Sequence, residues 1–188
     1  MSMDNSIAGF PRLETKRLVL RELRLTDTEA LFEIFSDEAV MRYYDRPALT
    51  RLEEARQIIE RNRLRFERGE GIRWGITLKG EDHVVGSCMF SWHPHHRYAE
   101  IGYELARAYW NQGIITEALR AILSFGFETR NLHRVEAEVL LGNVASMRVL
   151  QKLGFQEEGV LRERVFVNDQ FYDVKLFGLL KREYVKEQ

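Results

Sequence analysis

The chain has 188 residues, 45% hydrophobic and 30% charged, a balance typical of one globular domain with a substantial core. Its formal net charge of -1 excludes a strong overall field that would favour nucleic acid or an anionic membrane as partner. The single cysteine, Cys88, excludes an intrachain disulfide and a cysteine-based zinc cluster, which fits a reducing, cytoplasmic setting. No segment approaches the roughly 20 apolar residues of a membrane span.

The N-terminal part of the sequence predicts an arm, a strand and a helix. We expect residues 1–12 to form a flexible arm and residues 13–188 to form a single domain. Leucines alternate with charged residues over 16–23, which is typical of a strand. Thr26 or Asp27 then supplies a cap for a helix that reaches about residue 35.

The rest of the chain alternates further strand and helix patterns. A second helix is predicted from Thr50 to about Arg68, and its arginine-rich end is either a solvated face or a site for an acidic partner. The remaining predicted elements are strands over 73–79, 84–92 and 98–105, a helix over 114–129, a strand over 134–141, a helix over 144–153, and two closing strands joined at 168–170. This order predicts an α+β fold with one embedded strand-helix-strand unit.

The turn between the strand at 98–105 and the following helix has the features of a phosphate-binding turn. The first N–H groups of a helix lack intrahelical partners, and the helix dipole is positive there. Gly113 would let a ligand approach the backbone closely, and Asn111 tolerates a left-handed conformation. On spacing alone, the turn either binds a phosphate or simply connects a strand to a helix.

A second segment makes the pattern specific. Residues 143–155 read NVASMRVLQKLGF and are followed by Glu158-Gly159, some 30 residues after a Tyr-Trp-x-x-Gly turn that continues as Thr-Glu-Ala-Leu. Together they resemble the acetyl-CoA motifs of the GNAT N-acetyltransferases. The resemblance extends from the opening TKRLVLRELRLTD to the closing YDVKLFGLLKREY, where it is similar to the RimJ/RimL-like branch, the ribosomal-protein N-acetyltransferases.

The resemblance implies both a fold and a reaction. The fold would be the GNAT α/β/α sandwich, with a mixed, mainly antiparallel, seven-stranded sheet and helices on both faces. The reaction would be direct transfer of an acetyl group from acetyl-CoA to a primary amine, with no metal. A protein N-terminal α-amine is the acceptor that the branch implies, while amino acids, polyamines and antibiotic amines stay open, and the protein would be a monomer or homodimer.

The resemblance also implies the residues that bind acetyl-CoA. Backbone groups of one strand would pair with the pantetheine arm, the turn would hold the pyrophosphate, and the second motif would line the thioester. These residues are Tyr103, Glu104 and Leu105 on the strand, Trp110, Asn111, Gln112, Gly113, Ile114, Ile115 and Thr116 in the turn, and Asn143 and Ser146 in the second motif.

The turn departs from the superfamily pattern of Arg or Gln-x-x-Gly-x-Gly or Ala. Trp110 stands where arginine or glutamine is common, although tryptophan is usual in this branch, and Asn111 replaces a glycine. Ile115 replaces a small residue, and its β-branched side chain restricts the backbone and adds bulk. This departure predicts weakened cofactor affinity through steric interference near the diphosphate.

Two residues are predicted to move protons. An amine must lose a proton to attack a thioester, and Glu100, early in the strand that would line the cleft, is the predicted base. The alternative is that Glu100 is an edge charge or a salt-bridge partner for an arginine. Many GNAT enzymes protonate the thiolate with a tyrosine seven residues after the motif asparagine, but Leu150 occupies that position here. Ser146 is therefore the predicted donor, with local hydrogen bonding inside its helix as the alternative.

Three histidines and the cysteine are predicted to have no chemical role. His93, His95 and His96 lie within four residues, but Pro94 interrupts them and no carboxylate or cysteine joins at a recognised metal spacing. We expect this segment to line the acceptor cleft or to face solvent, and Cys88 to be a buried small hydrophobe.

The alternative to an enzyme is a binding module, a protein that binds acyl-CoA without turning it over.

Overall fold

The computed structural model of the protein describes residues 9–184. The α-helices are α1 (Thr28–Ser36), α2 (Glu38–Met41), α3 (Leu52–Glu67), α4 (Ile114–Ser124) and α5 (Val144–Lys152). The strands are β1 (Leu13–Glu14), β2 (Leu18–Glu22), β3 (Gly71–Leu78), β4 (Val84–His93), β5 (Tyr98–Leu105), β6 (Arg134–Leu140), β7 (Gln156–Val167) and β8 (Gln170–Leu180). Short 3-10 segments lie at Leu25–Asp27, Pro94–His96 and Arg107–Tyr109.

The strands form one mixed sheet in the order β1-β2-β3-β4-β5-β6-β8-β7. Only the β5–β6 pair is parallel in the described chain, which confirms the prediction of a mixed, mainly antiparallel sheet. The predicted number of seven strands is wrong, because the sheet has eight. The extra strand is the two-residue β1, which pairs antiparallel with β2 through Leu13–Leu20 and Glu14–Val19.

Helices cover both faces of the sheet, as predicted. On one face α4 buries the stripe of Ala118, Leu119, Ile122 and Leu123 against the sheet, and their helical spacing places these residues on one side of the helix. On the other face a separate apolar cluster joins α1 and α3 to the sheet. Since β3 and β4 lie between these clusters, both of their faces are largely buried, including the polar residues Arg73, Thr77 and Ser87.

The parallel pair separates after three residues. Strand β5 pairs with β6 only from Tyr98–Arg134 to Glu100–Glu136. Beyond Glu100, β5 continues along β4 as far as Leu105, whereas β6 continues along β8. A V-shaped opening therefore divides the centre of the sheet, and backbone groups of β5 facing the opening have no strand partner there.

Some predicted boundaries differ from the observed ones for local reasons. The predicted helix over 114–129 is α-helical only to Ser124 and continues as a π-helical turn from Phe125 to Thr129. Gly126 allows this turn to approach the sheet, because a Cβ there would lie 3.0 Å from a ring atom of Phe90. The short helix α2 was not predicted from the sequence.

Only part of the predicted N-terminal arm lies within the described residues. Residues 1–8 lie outside them, whereas Phe10 packs against Phe66 and Trp74 with ring centroids 5.0 and 6.2 Å apart. The Trp74 indole also donates a hydrogen bond to the Pro11 carbonyl at 2.7 Å. Between Gly9 and Tyr184, none of the helices is both long enough and apolar enough to span a bilayer.

Candidate active site

The opening between β5 and β6 forms a cleft of about 250 Å³. Its walls are the diverging halves of the two strands, and its end is the first turn of α5. Tyr43, Tyr44 and Asp45, from the connection between α2 and α3, lie at its mouth. A Cβ on Gly142 would be 3.5 Å from the Tyr43 ring, so this connection reaches across to the turn before α5.

Asn143 and Ser146 lie together where α5 begins. The Asn143 side chain caps the helix, because its Oδ1 accepts a hydrogen bond from the Ser146 N–H at 3.1 Å. The Ser146 Oγ lies 2.7 Å from the Tyr103 hydroxyl on β5. All three side chains line the cleft, so the fold brings the second motif and the β5 motif together.

Leu150 does not reach the cleft. The residue is fully buried and packs in the core cluster beneath α4 and α5. Where β5 meets the start of α5, the cleft hydroxyls come from Ser146 and from Tyr103, whose side chain was not singled out in the sequence.

The turn before α4 has the backbone conformation that the sequence predicted. Asn111 and Gly113 both have left-handed dihedrals, with φ of 59° and 74°. The first intrahelical hydrogen bond runs from the Glu117 N–H to the Gly113 carbonyl at 3.0 Å. The N–H groups of residues 114–116 therefore have no acceptor within the helix. The Trp110 indole donates to the Leu105 carbonyl at 2.8 Å and ties the turn to the end of β5.

The side chain of Ile115 points away from this turn. It is 9% exposed and belongs to the core cluster together with Ile114. Its bulk therefore packs beneath the helix and does not lie over the free N–H groups, which removes the steric reason for expecting weakened binding.

A carboxylate of α4 fastens the turn to the N-terminal strands. Glu117 accepts hydrogen bonds from Thr15 Oγ1 at 2.6 Å, from the Arg17 N–H at 2.9 Å and from Arg17 Nε at 2.6 Å. Arg17 also donates to the Gln112 carbonyl at 3.0 Å. Burial alone would raise the pKa of Glu117, but the hydrogen bonds from Thr15 and Arg17 hold that pKa below its ordinary value.

No local sequence signal reveals this clamp, which we define as Thr15, Arg17 and Glu117. An acidic residue in the first turn of a helix is ordinary, and its partners lie about 100 residues earlier in the chain.

The side chain of Glu104 belongs to a buried polar network. Its Oε1 accepts from the Arg73 guanidinium at 2.8 Å and from the Ser87 hydroxyl, and its Oε2 accepts from the Tyr44 hydroxyl at 3.0 Å. Burial and the nearby charge of Glu104 raise the pKa of Tyr44 to about 12, so this hydroxyl remains a donor. The Glu104 side chain is therefore occupied by this network, which leaves only its backbone for a ligand.

Glu100 lies at the last β5–β6 pair and lines the cleft. Its side chain is 42% exposed, and its Oε1 lies 3.1 Å from His93 Nε2. The His93 ring in turn stacks on Tyr98, with centroids 4.2 Å apart. The structure thus places Glu100 both in the cleft and in a contact with His93, so the two alternatives stated for it are not exclusive.

The remaining histidines and the cysteine lie apart from the cleft. His95 and His96 are exposed in the 3-10 segment after β4. Cys88 is 1% exposed, and burial raises the pKa of its thiol well above the ordinary value, which disfavours the reactive thiolate. Across residues 9–184, histidine, cysteine and acidic side chains form no group of three that could hold a metal ion.

A split parallel pair, a helix whose free N–H groups follow a left-handed turn, and hydroxyls in the cleft are features that suit an extended phosphate-containing ligand. Residues 17–156 match the family of acetyltransferase (GNAT) domains, so the chain belongs to the GNAT acetyltransferases. The protein is an acetyltransferase, and its relatives include ribosomal-protein acetyltransferases of the RimJ/RimL type.

Three comparisons illustrate the relationship. The uncharacterized N-acetyltransferase YoaA of Bacillus subtilis is 38% identical over 173 residues, which are 92% of this chain and 98% of YoaA. The ribosomal-protein-serine acetyltransferase of Escherichia coli is 32% identical over 127 residues, 67% of this chain and 70% of that protein. The structure of Mycobacterium smegmatis RimJ in complex with CoA-disulfide superposes with a TM-score of 0.81 at 27% identity, covering 93% of this chain and 88% of RimJ.

Proposed function

We propose that the protein transfers the acetyl group of acetyl-CoA to a primary amine, and that the amine is the N-terminal α-amine of a protein. The single observation that carries this proposal is the V-shaped opening, which runs between a strand edge with unpaired backbone groups and two hydroxyls at the start of α5. Such an opening suits an extended amide-containing arm that ends in a thioester.

The cosubstrate would bind along three parts of the described structure. The N–H groups at 114–116 would hold the pyrophosphate, because they are unpaired and lie at the positive end of α4. Backbone groups at 103–105 would pair with the pantetheine amides, in the manner of an added strand. Asn143 and Ser146 would then lie beside the thioester.

The chemistry divides between the two sides of the cleft. The amine attacks the thioester carbonyl directly, the bond from carbon to sulfur breaks, and CoA leaves as a thiolate. Ser146 would donate a hydrogen bond to that sulfur, while Glu100, at the other end of the cleft lining, would accept the proton of the amine directly or through water. Cys88 is too deeply buried to form an acyl-enzyme.

The mouth of the cleft supports a cationic acceptor carried by a large molecule. Asp45, Glu100 and Glu138 line the cleft, with Glu138 paired to Arg164 and Glu100 close to His93, and this acidic lining favours the approach of an ammonium group. The helices α1 and α3 cover one face of the sheet over β2–β5, whereas Glu138, on the neighbouring strand β6, is exposed. The similarity to a ribosomal-protein-serine acetyltransferase points to the same class of acceptor.

The proposal is tested by measuring acetyl-CoA binding by calorimetry and thiol release in the same sample. The acceptors are a peptide with a free N-terminus, the same peptide with a blocked N-terminus and an internal lysine, a free amino acid and a linear polyamine. We expect thiol release only with the free N-terminus. Release with the polyamine or the amino acid alone would replace the protein acceptor by a small molecule, and binding without release for every amine would refute the proposed reaction.

A further inference from the structure

The hydroxyl groups of Tyr103 and Ser146 form a pair inside the cleft that the proposed reaction does not by itself require. Their oxygen atoms are 2.7 Å apart, which is a good hydrogen-bond distance between hydroxyls. Tyr103 lies beyond the last β5–β6 pair, at the level where the strands have already separated. The phenol therefore crosses the gap that strand pairing would otherwise close.

The fold fixes the direction of the Tyr103 side chain. Tyr103 is paired with Cys88 on β4, and residues directly opposite in an antiparallel pair project from the same face of the sheet. Cys88 is buried in the core cluster on the α4 side of the sheet, and Tyr103 packs against that cluster. The ring is thus held between strand and helix, and only its hydroxyl end reaches Ser146.

Proton counting allows two directions for the hydrogen bond between the two hydroxyls. Each hydroxyl has one hydrogen, so only one of the two can donate to the other. The Tyr103 hydroxyl also lies 3.4 Å from the Ser146 carbonyl, so both acceptors near the phenol belong to Ser146. When Tyr103 donates to the serine Oγ, the hydrogen of Ser146 is left to point into the cleft.

We propose that Tyr103 is a positioning residue, whose phenol donates to Ser146 Oγ and so directs the serine hydrogen at the sulfur of the departing thiolate. This inference rests on the proposed function, because it assigns a task to the same cleft. No bond to Tyr103 forms or breaks in the reaction. The serine hydrogen stabilises the thiolate through a hydrogen bond, without leaving the serine oxygen, while the tyrosine hydrogen keeps that oxygen oriented.

The environment keeps the phenol in its donating form. Burial raises the pKa of the Tyr103 hydroxyl above its ordinary value, and the hydrogen bond with Ser146 opposes this shift only in part. The phenol therefore stays protonated throughout the neutral range.

The test is a double-mutant cycle with Tyr103→Phe, Ser146→Ala and the combined variant. Tyr103→Phe keeps the ring and removes only the hydroxyl. We expect kcat to fall about tenfold, because general acid-base catalysis supplies roughly 100- to 10,000-fold and the loss of orientation removes only part of it. The acetyl-CoA dissociation constant and KM should stay unchanged. In the Ser146→Ala background the same change is expected to have almost no further effect on kcat, because the group that Tyr103 orients is gone.

Tyr172→Phe is the matched control. The Tyr172 hydroxyl donates to Gln170 Oε1 at 2.8 Å near the β7–β8 turn, and Tyr172 does not itself line the cleft, although its strand partner Val165 does. This variant should keep the kcat of the wild type.

The outcomes separate this inference from the proposed function. A Tyr103→Phe enzyme with the kcat of the wild type overturns the inference, as does a loss that adds fully to that of Ser146→Ala or one confined to KM. In each of these cases the wild-type protein still releases thiol. If the wild type binds acetyl-CoA but releases no thiol with any amine, the proposed function itself has failed.

Discussion

Removal of the Glu117 carboxylate should weaken both the fold and cosubstrate binding. Glu117→Ala deletes the acceptor of three hydrogen bonds, from Thr15 Oγ1, the Arg17 N–H and Arg17 Nε. At about 1 kcal/mol each, and with the Arg17 side chain 47% exposed and so partly satisfied by water, the loss is about 2–3 kcal/mol in the free energy of unfolding. The higher helix propensity of alanine offsets only a few tenths of a kcal/mol.

Thermal unfolding measures this effect. For a protein of this size about 1 kcal/mol corresponds to roughly 2–4 °C, so Tm should fall by about 4–12 °C. Glu53→Ala is the matched control, because Glu53 is also in the first turn of a helix but is exposed. Calorimetry should also show a larger acetyl-CoA dissociation constant for Glu117→Ala only, since the clamp holds the phosphate turn.

The loss of stability caused by Glu117→Ala should depend on pH in a defined direction. The pKa of Glu117 is lowered in the folded protein from an ordinary value of 4.5, so its ionised form favours folding. The difference in stability between wild type and Glu117→Ala should be full above about pH 4.5 and shrink as pH falls toward the lowered folded value. A Tm change equal to that of Glu53→Ala, or a difference independent of pH, would show that the clamp does not stabilise the turn.

Three further substitutions have distinct expected outcomes. Glu100→Gln should flatten the rise of kcat/KM with pH if Glu100 accepts the amine proton, and an unaltered profile would assign that step to water or to another group. Glu104→Ala should destabilise the fold by about 3–5 kcal/mol in chemical denaturation, because it leaves Arg73 charged and buried; a loss below about 1 kcal/mol would contradict this. Leu150→Ala should cost about 2–5 kcal/mol of stability through a core cavity, with acetyl-CoA affinity nearly unchanged; a loss of affinity without destabilisation would place Leu150 at the cleft instead.

Features encoded within one stretch of sequence could be predicted. The buried stripe of α4 follows from apolar spacing over 11 residues, and the left-handed dihedrals at Asn111 and Gly113 follow from the residue types that tolerate them. The pattern at 144–153 also predicted correctly the short helix α5, which Asn143 caps. These are local properties, so neighbouring residues decide them.

Features that join distant segments were decided by the tertiary structure. The direction of the Ile115 side chain depends on which face of α4 meets the sheet, and the structure buries it where the sequence suggested steric interference. The eighth strand exists only because Leu13–Glu14 reaches the edge of β2.

The same dependence on tertiary structure explains why the side-chain contacts in the cleft could not be predicted from the sequence. Tyr103 and Ser146 are 43 residues apart, and Arg17 and Glu117 are 100 apart, so no periodicity or spacing connects them. The sequence by itself determined most of the helices and strands and the two motifs that resemble acetyl-CoA-binding segments. The separation of β5 from β6 decided which side chains face one another across the gap, because contact between distant residues depends on the packing of whole elements.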